Sequence, residues 1–143
     1  MTIVTNHPDF QVKVKRCAAS DKTIILDLTC TNLGDQDITD IAFIGFDVGM
    51  NGKFSEAYDD EGNQYGRGTI SVKVANQKEY LRERYNYRMI SGIPVKVSLR
   101  IDGVSTSAEN IAYLAFLVNC NSWGIGFDKK KWVTMRNIPI TRD

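Results

Sequence analysis

An all-β fold, an antiparallel β-sandwich of roughly nine short strands with little helix, is what this sequence predicts. Three observations carry that expectation. The run from Ile111 to Cys120, Ile-Ala-Tyr-Leu-Ala-Phe-Leu-Val-Asn-Cys, holds no charge, Pro or Gly. Read at period 2, both of its faces are mostly apolar, which suits a central strand covered on both sides. Several other segments alternate apolar and polar residues, the pattern of strands with one wet face. Turn-forming clusters separate them at short intervals, with neither βαβ spacing nor an internal repeat.

Taken in order, Phe10, Val12 and Val14 alternate with Gln11, Lys13 and Lys15. They predict a first strand and leave residues 1–9 as a flexible segment ahead of a single domain, 10–143. After the polar break Ser20-Asp21-Lys22, the residues Ile24, Leu26, Leu28 and Cys30 share a face, so the two runs predict an antiparallel hairpin. Asn32 to Asp37 is dense in turn formers, and β-branched and aromatic residues resume from Ile38 to Phe46. Gly45, Gly49 and Gly52 predict an irregular connection or a bulged edge, and Phe54 to Tyr58 a short strand. Asp59 to Tyr65 is a turn in which Gly62 and Asn63 tolerate positive φ.

Ile70, Val72 and Val74 alternate again. Asn76 to Arg88 has helix-favouring composition but no sustained apolar stripe, so it predicts at most one turn of helix before a strand through Tyr85, Tyr87 and Met89. Ser91-Gly-Ile-Pro94 forms a corner, because Pro fixes its own φ and pushes Ile93 to extended geometry. Val95, Val97, Leu99 and Ile101 make the cleanest alternation in the chain. Trp132 to Ile140 is the last strand, with Pro139 near its end, where a missing N–H is tolerated.

A chain of 143 residues buries about two-thirds of its unfolded surface and needs neither metal nor disulfides to stand. Its three cysteines, Cys17, Cys30 and Cys120, lack CxxC spacing and are odd in number, which predicts small buried hydrophobes. The hairpin register puts Cys17 near the turn and Cys30 at the far end, about 20 Å apart, too far to bond. Charge is balanced at 18 basic against 17 acidic side chains, so the total carries no footprint for nucleic acid or an anionic membrane. Residues 1–70 nevertheless hold 6 basic and 11 acidic side chains and residues 71–143 hold 12 and 6; interleaving of the halves in a sandwich is expected to neutralise this over the surface. No run approaches transmembrane length, and Met1 to Pro8 lacks a basic then apolar leader pattern.

Four stretches carry a family resemblance: Ser91-Gly-Ile-Pro-Val-Lys96 followed by Leu99-Arg-Ile-Asp-Gly-Val104, the run Ile111 to Val118, Val133 to Ile140, and Tyr58 to Tyr65. Together they resemble the immunoglobulin-like β-sandwich domains of unknown function in secreted proteins and lipoproteins of Bacteroidetes-type bacteria. The resemblance implies an exported, non-catalytic, extracytoplasmic domain, a monomer or weak oligomer with a protein or glycan partner, with no catalytic residues, metal or cofactor to carry over. An immunoglobulin-type pairing of Cys30 with Cys120 across the core stays open on the same ground.

Four constellations bear on function. The single histidine, His7, beside Pro8, is poorly placed as the base of a Ser-His-Asp or Cys-His arrangement, and Gly124-Ile-Gly126 is a bare GxG without a phosphate-loop context. Asp59, Asp60, Glu61 and Asn63 crowd oxygen ligands that a hard cation could use, although the spacing is not that of an EF-hand and a solvated turn is the expectation. Trp123, Phe127 and Trp132 flank Lys129 to Lys131; planar aromatics there could stack on sugar rings or anchor a protein, or one Trp could cap the core. Tyr80, Tyr85 and Tyr87 interleave with Arg82, Arg84 and Arg88, for which cross-strand packing on one wet sheet face is expected. The sequence thus predicts a non-catalytic binding or structural module. A carbohydrate-binding module using the loop from Trp123 to Trp132 is its first rival, and a small enzyme of unrecognised type its second.

Overall fold

Alternation becomes pairing almost everywhere it was expected. The computed structural model describes residues 1–5, 7–47, 53–66, 68–81, 85–120 and 133–142, with backbone alone at positions 46, 47, 53 and 85. In chain order the strands are β1 (Thr2–Thr5), β2 (Phe10–Ser20), β3 (Thr23–Asn32), β4 (Ile38–Ile44), β5 (Phe46–Asp47), β6 (Lys53–Phe54), β7 (Glu56–Asp59), β8 (Gln64–Tyr65), β9 (Ile70–Val74), β10 (Tyr85–Met89), β11 (Val95–Ile101), β12 (Asn110–Cys120), β13 (Val133–Pro139) and β14 (Thr141–Arg142). One sheet of seven strands runs β1-β13-β12-β4-β10, with β7 also on β12 and β8 on β7. A second sheet of five runs β14-β2-β3-β11-β9, and β5 and β6 form a small separate pair. Every pairing is antiparallel except β14 with β2. The two large sheets pack face to face as a β-sandwich.

The core between them is made by the inward positions of each alternating strand: Ile24, Leu26, Leu28 and Cys30 of β3, Val97, Leu99 and Ile101 of β11, and Leu114, Phe116 and Val118 of β12. Phe116 stacks on Phe43 of β4, ring centroids 5.9 Å apart and 20° between planes, an offset arrangement that adds about 0.5–1.5 kcal/mol to the area buried.

β12 is covered on both faces, as its composition predicted. Every residue from Leu114 to Cys120 is fully buried. Leu117 points away from the sandwich interior into a second apolar cluster with Ala42 and Ile44 of β4. Both edges of β12 are also occupied. β13 pairs along Asn110–Phe116 on one side, while the other side is shared: β7 pairs Ile111–Ala115 and β4 pairs Leu117–Cys120.

Ser55, buried at the junction between those two partners, fills the gap in the ladder. Its hydroxyl donates to the Ile44 carbonyl at 2.6 Å and accepts the Leu117 N–H at 2.8 Å, and its own N–H donates to the Gly45 carbonyl at 2.8 Å. An irregularity in the β12–β7 register between Ile111 and Tyr113 returns Ile111 to the main core, where strict period 2 from Leu117 would have turned it outward.

Several expectations are corrected. The two large sheets hold seven and five strands, more than the nine expected. The three missed strands, β1, β8 and β14, have 4, 2 and 2 residues, too few for periodicity to register. β1 lies in the stretch expected to be flexible. Its Thr-Ile-Val-Thr pairs residue for residue with Val133–Arg136, as a β-branched run should. The stretch after Asn76, for which at most one turn of helix was expected, holds no helix among the described residues; Leu81 bridges Val72 across the edge of β9.

Cys30 lies opposite Val12 and Cys17 opposite Leu26, so the two are about 13 Å apart along β3, closer than expected but still unbondable. Cys17, Cys30 and Cys120 are all buried and none is in a disulfide, which leaves the Cys30–Cys120 pairing unmade. Burial pushes the Cys30 thiol up to about 12, and burial outweighs the opposing charge of Arg142 to push Cys17 up to about 11; neither is nucleophilic near neutrality.

Two-sided burial sets the expected mutational costs. Phe116→Ala should cost ~3–5 kcal/mol and Leu117→Ala ~2–5 kcal/mol. Ser55→Ala should cost about 1–3 kcal/mol, because it strands the buried Leu117 N–H. Asn119, also fully buried, has neither of its side-chain polar atoms hydrogen-bonded, so Asn119→Leu should cost less than about 1 kcal/mol or stabilise. Denaturant unfolding of the four variants side by side checks the ranking. A near-wild-type midpoint for Leu117→Ala would show that β12 is not covered on its outer face.

Candidate functional site

The acidic turn is the densest polar cluster among the described residues. It forms where β7 turns into β8, with Gly62 at φ 87°, a left-handed conformation that favours glycine. Asp59, the last residue of β7, is 3% exposed. One carboxylate oxygen accepts the N–H groups of Glu61 and Asn63, both at 2.9 Å. The other accepts the Asn63 amide at 3.0 Å and the Tyr65 hydroxyl at 2.6 Å. Burial alone would raise the pKa of this carboxyl, but the hydrogen bonds outweigh burial and hold it below its ordinary value of 3.8.

The Tyr65 hydroxyl also accepts the Ser105 N–H at 3.1 Å. Burial first, and then its bond to Asp59, push its pKa above the ordinary 10.0.

The neighbouring carboxylates are used the same way. Glu61 accepts the hydroxyls of Ser105 at 2.7 Å and Ser107 at 2.6 Å. Asp60 accepts the N–H groups of Glu109 and Asn110 at 3.0 and 3.2 Å, and its own N–H donates to the Asn110 carbonyl. The turn is therefore laced to the loop between β11 and β12. Arg142 of β14 secures that loop from its other side, donating to the Ser105 and Ala108 carbonyls at 2.8–3.2 Å. No group of three or more His, Cys, Asp or Glu side chains among the described residues is arranged to hold a metal ion. In place of the cation ligands that its composition allowed, the turn offers carboxylates already committed to N–H and O–H donors.

The remaining candidates scatter. Trp123, Phe127, Trp132 and Lys129 to Lys131 lie outside the described residues, as do Arg82 and Arg84. Tyr80 sits beside β9 under the Lys73 ammonium, 4.8 Å from its ring centroid. Tyr87, on β10 of the other sheet, packs against the main core. Arg88 pairs with Asp37 at 3.4 Å. Among the described side chains, Tyr80 and Tyr87 lie against different sheets and do not share one wet face. His7 accepts the Asp9 N–H at 3.1 Å through Nδ1, which places it in a turn.

At that end of the sandwich Ile93 and Leu33 are 55% and 53% exposed. A shallow groove there is lined by Ala75, Tyr87, Ile90, Ile93 and Pro94. This apolar rim was not anticipated from sequence, since a corner and a turn hide among ordinary loop residues.

No protein-family model matches this chain, and a search of curated proteins finds no match.

The pH dependence follows from Asp59. Its depressed folded pKa contributes stability that is fully present above the unfolded value of 3.8 and is lost as pH falls through the lower folded value. Unfolding midpoints followed from neutral pH down through the carboxylate range should fall for the wild type and fall less steeply for Asp59→Asn. Asp59→Ala should cost about 1–3 kcal/mol at neutral pH. An acid limb unchanged by Asp59→Asn would remove this turn as the site of the acid sensitivity.

Proposed function

We propose that this chain is a non-catalytic β-sandwich that serves as a binding or structural module outside the cytoplasm. The observation that carries the reading is the fate of the acidic turn. The most chemistry-like cluster among the described residues spends its carboxylates on turn amides, serine hydroxyls and Tyr65. A general acid or base needs a carboxyl with access to substrate and a pKa moved toward the working pH. Asp59 is enclosed and its pKa is moved the other way. Such ties suit a rigid scaffold that presents its surfaces. The extracytoplasmic placement rests on the resemblance of the four stretches that carry it.

Two measurements test the proposal. Incubation with a panel of neutral and acidic polysaccharides and of peptides, followed by reducing-end assay and mass spectrometry, should release no product; turnover abolished by a single substitution would overturn the non-catalytic reading. Fractionation of cells making the natural gene product should place it in the envelope or medium, and recovery from the cytoplasm alone would overturn the placement. Both tryptophans of the chain, Trp123 and Trp132, bound the aromatic stretch 123–132 of the sequence, so tryptophan fluorescence reports on that stretch. Saturable quenching by a neutral glycan would favour the rival sugar-binding reading.

A further inference from the structure

We infer that the outer face of the five-stranded sheet binds an extended polyanionic glycan, one bearing carboxylate or sulfate groups, laid along β3. The inference deepens the binding-module reading proposed above and rests on it.

Lys13 of β2 lies opposite Thr29 of β3, which lies opposite Lys96 of β11. In the next row Arg16, Asp27, Ser98 and Lys73 line up across β2, β3, β11 and β9. In the row after that, Ala18, Ile25, Arg100 and Ser71 do the same. Between the cations of β2 and those of β11 therefore runs β3, whose outward residues Thr23, Ile25, Asp27, Thr29 and Thr31 are neutral apart from Asp27.

Two strand spacings separate the flanking lines by about 10 Å. A depression beside Arg16, lined by Ala18, Thr23, Ile25 and Asp27, deepens the trough.

Cations outnumber carboxylates on this face, where Lys13, Arg16, Lys73, Lys96 and Arg100 face Asp27 and Asp102. Lys13, Arg16 and Lys96 are exposed and make no ion pair among the described residues. Arg100 is paired with Asp102 at 2.9 Å, and the Asp27 carboxylate accepts the Ser98 hydroxyl at 2.6 Å. The formal net charge of the whole chain is only +1, so the expected neutralisation across the surface does not hold on this face. Unpaired cations flanking a shallow low-dielectric floor attract a linear anion and orient it along the strand.

The class of ligand follows from what a sheet face offers. The main-chain groups of the central strands are spent on the ladder, so a peptide laid on the face could not gain backbone bonds as it would at an edge. Among the described residues, the trough itself presents no aromatic ring for nucleobase stacking. Threonine and serine hydroxyls between cations suit a ligand that carries both hydroxyls and anionic groups.

Calorimetric titration with heparin oligosaccharides, polygalacturonate, neutral dextran and poly-L-glutamate tests this. Heparin and polygalacturonate should bind, dextran should not, and affinity should fall about tenfold or more from low to high salt as the cations are screened. Lys13→Glu/Lys96→Glu should weaken binding at least about tenfold, while Arg88→Glu/Arg136→Glu, with the same change in net charge on the seven-stranded sheet, should leave it within about twofold. Lys13→Gln/Lys96→Gln serves as the gentler pair if charge reversal impairs folding, with a smaller loss in the same direction.

Failure of both polyanionic glycans to bind would overturn the inference and leave the module reading standing. Equal losses from the control pair would also overturn it, as would poly-L-glutamate binding as tightly with the same dependence on Lys13 and Lys96, the mark of an acidic protein partner. Cleavage of a bound glycan would sink the non-catalytic reading and leave the binding face in place.

Discussion

A single strand edge shared by two partners constrains this sandwich more than any other feature. β12 is enclosed on both faces, so its backbone groups have no solvent to turn to, and each unmet one costs about 1–3 kcal/mol. β4 and β7 arrive end to end along one edge, and between the last bond to one and the first to the other the Leu117 N–H would be stranded. The Ser55 hydroxyl takes that bond and hands its own proton to the Ile44 carbonyl. Only a short side chain that both donates and accepts can stand in for a strand at this point. The chain leaving β4 must therefore return to the same edge of β12 with Ser55 at the seam, and the burial of Phe116 and Leu117 on opposite faces depends on that return.

The same arrangement makes the two sheets unequal. The seven-stranded sheet carries a second apolar cluster, Ala42, Ile44 and Leu117, on the side away from the main core. Farther along that side the surface is aromatic, with Tyr58 and Tyr113 6.1 Å apart and the Arg136 guanidinium over the Tyr113 ring. The five-stranded sheet has hydroxyls, lysines and arginines at the corresponding positions. One outer face is thus consumed in building the fold while the other stays open and polar.

Legibility in the sequence followed signal length. β2, β3, β9, β11, β12 and β13 were readable because at least five residues alternate or run apolar in each. β12 was recognised as central because it has no wet face at all. β1, β8 and β14 were not readable, since two to four residues hold no period and what fixes them is the neighbour they pair with. The helix-favouring composition after Asn76 carried little weight without an apolar stripe, because propensity is a weak prior, and at the sheet edge Leu81 bridges Val72. At the acidic turn the sequence shows the carboxylates, but a list of oxygens does not say which donors face them. Ser105 and Ser107 reach Glu61 from the loop between β11 and β12, at sequence separations of 44 and 46 residues, while Tyr65 reaches Asp59 from the paired strand of the same hairpin.

Charge shows the same limit in its sharpest form. Alternation alone says that Lys13, Lys96 and Arg100 point outward, and a net charge of +1 says that outward charges should average away. Neither says that β3 lies between β2 and β11. That neighbour relation sets Lys13 and Lys96 in one row, 83 positions apart in the chain and two strand spacings apart in space. It also leaves the acidic residues of the first half largely at the sandwich ends, where Asp59, Asp60 and Glu61 fasten loops. Balanced composition has been sorted by topology into a cationic face and carboxylates spent at the ends, so the feature most open to a partner is the one that summed charge conceals.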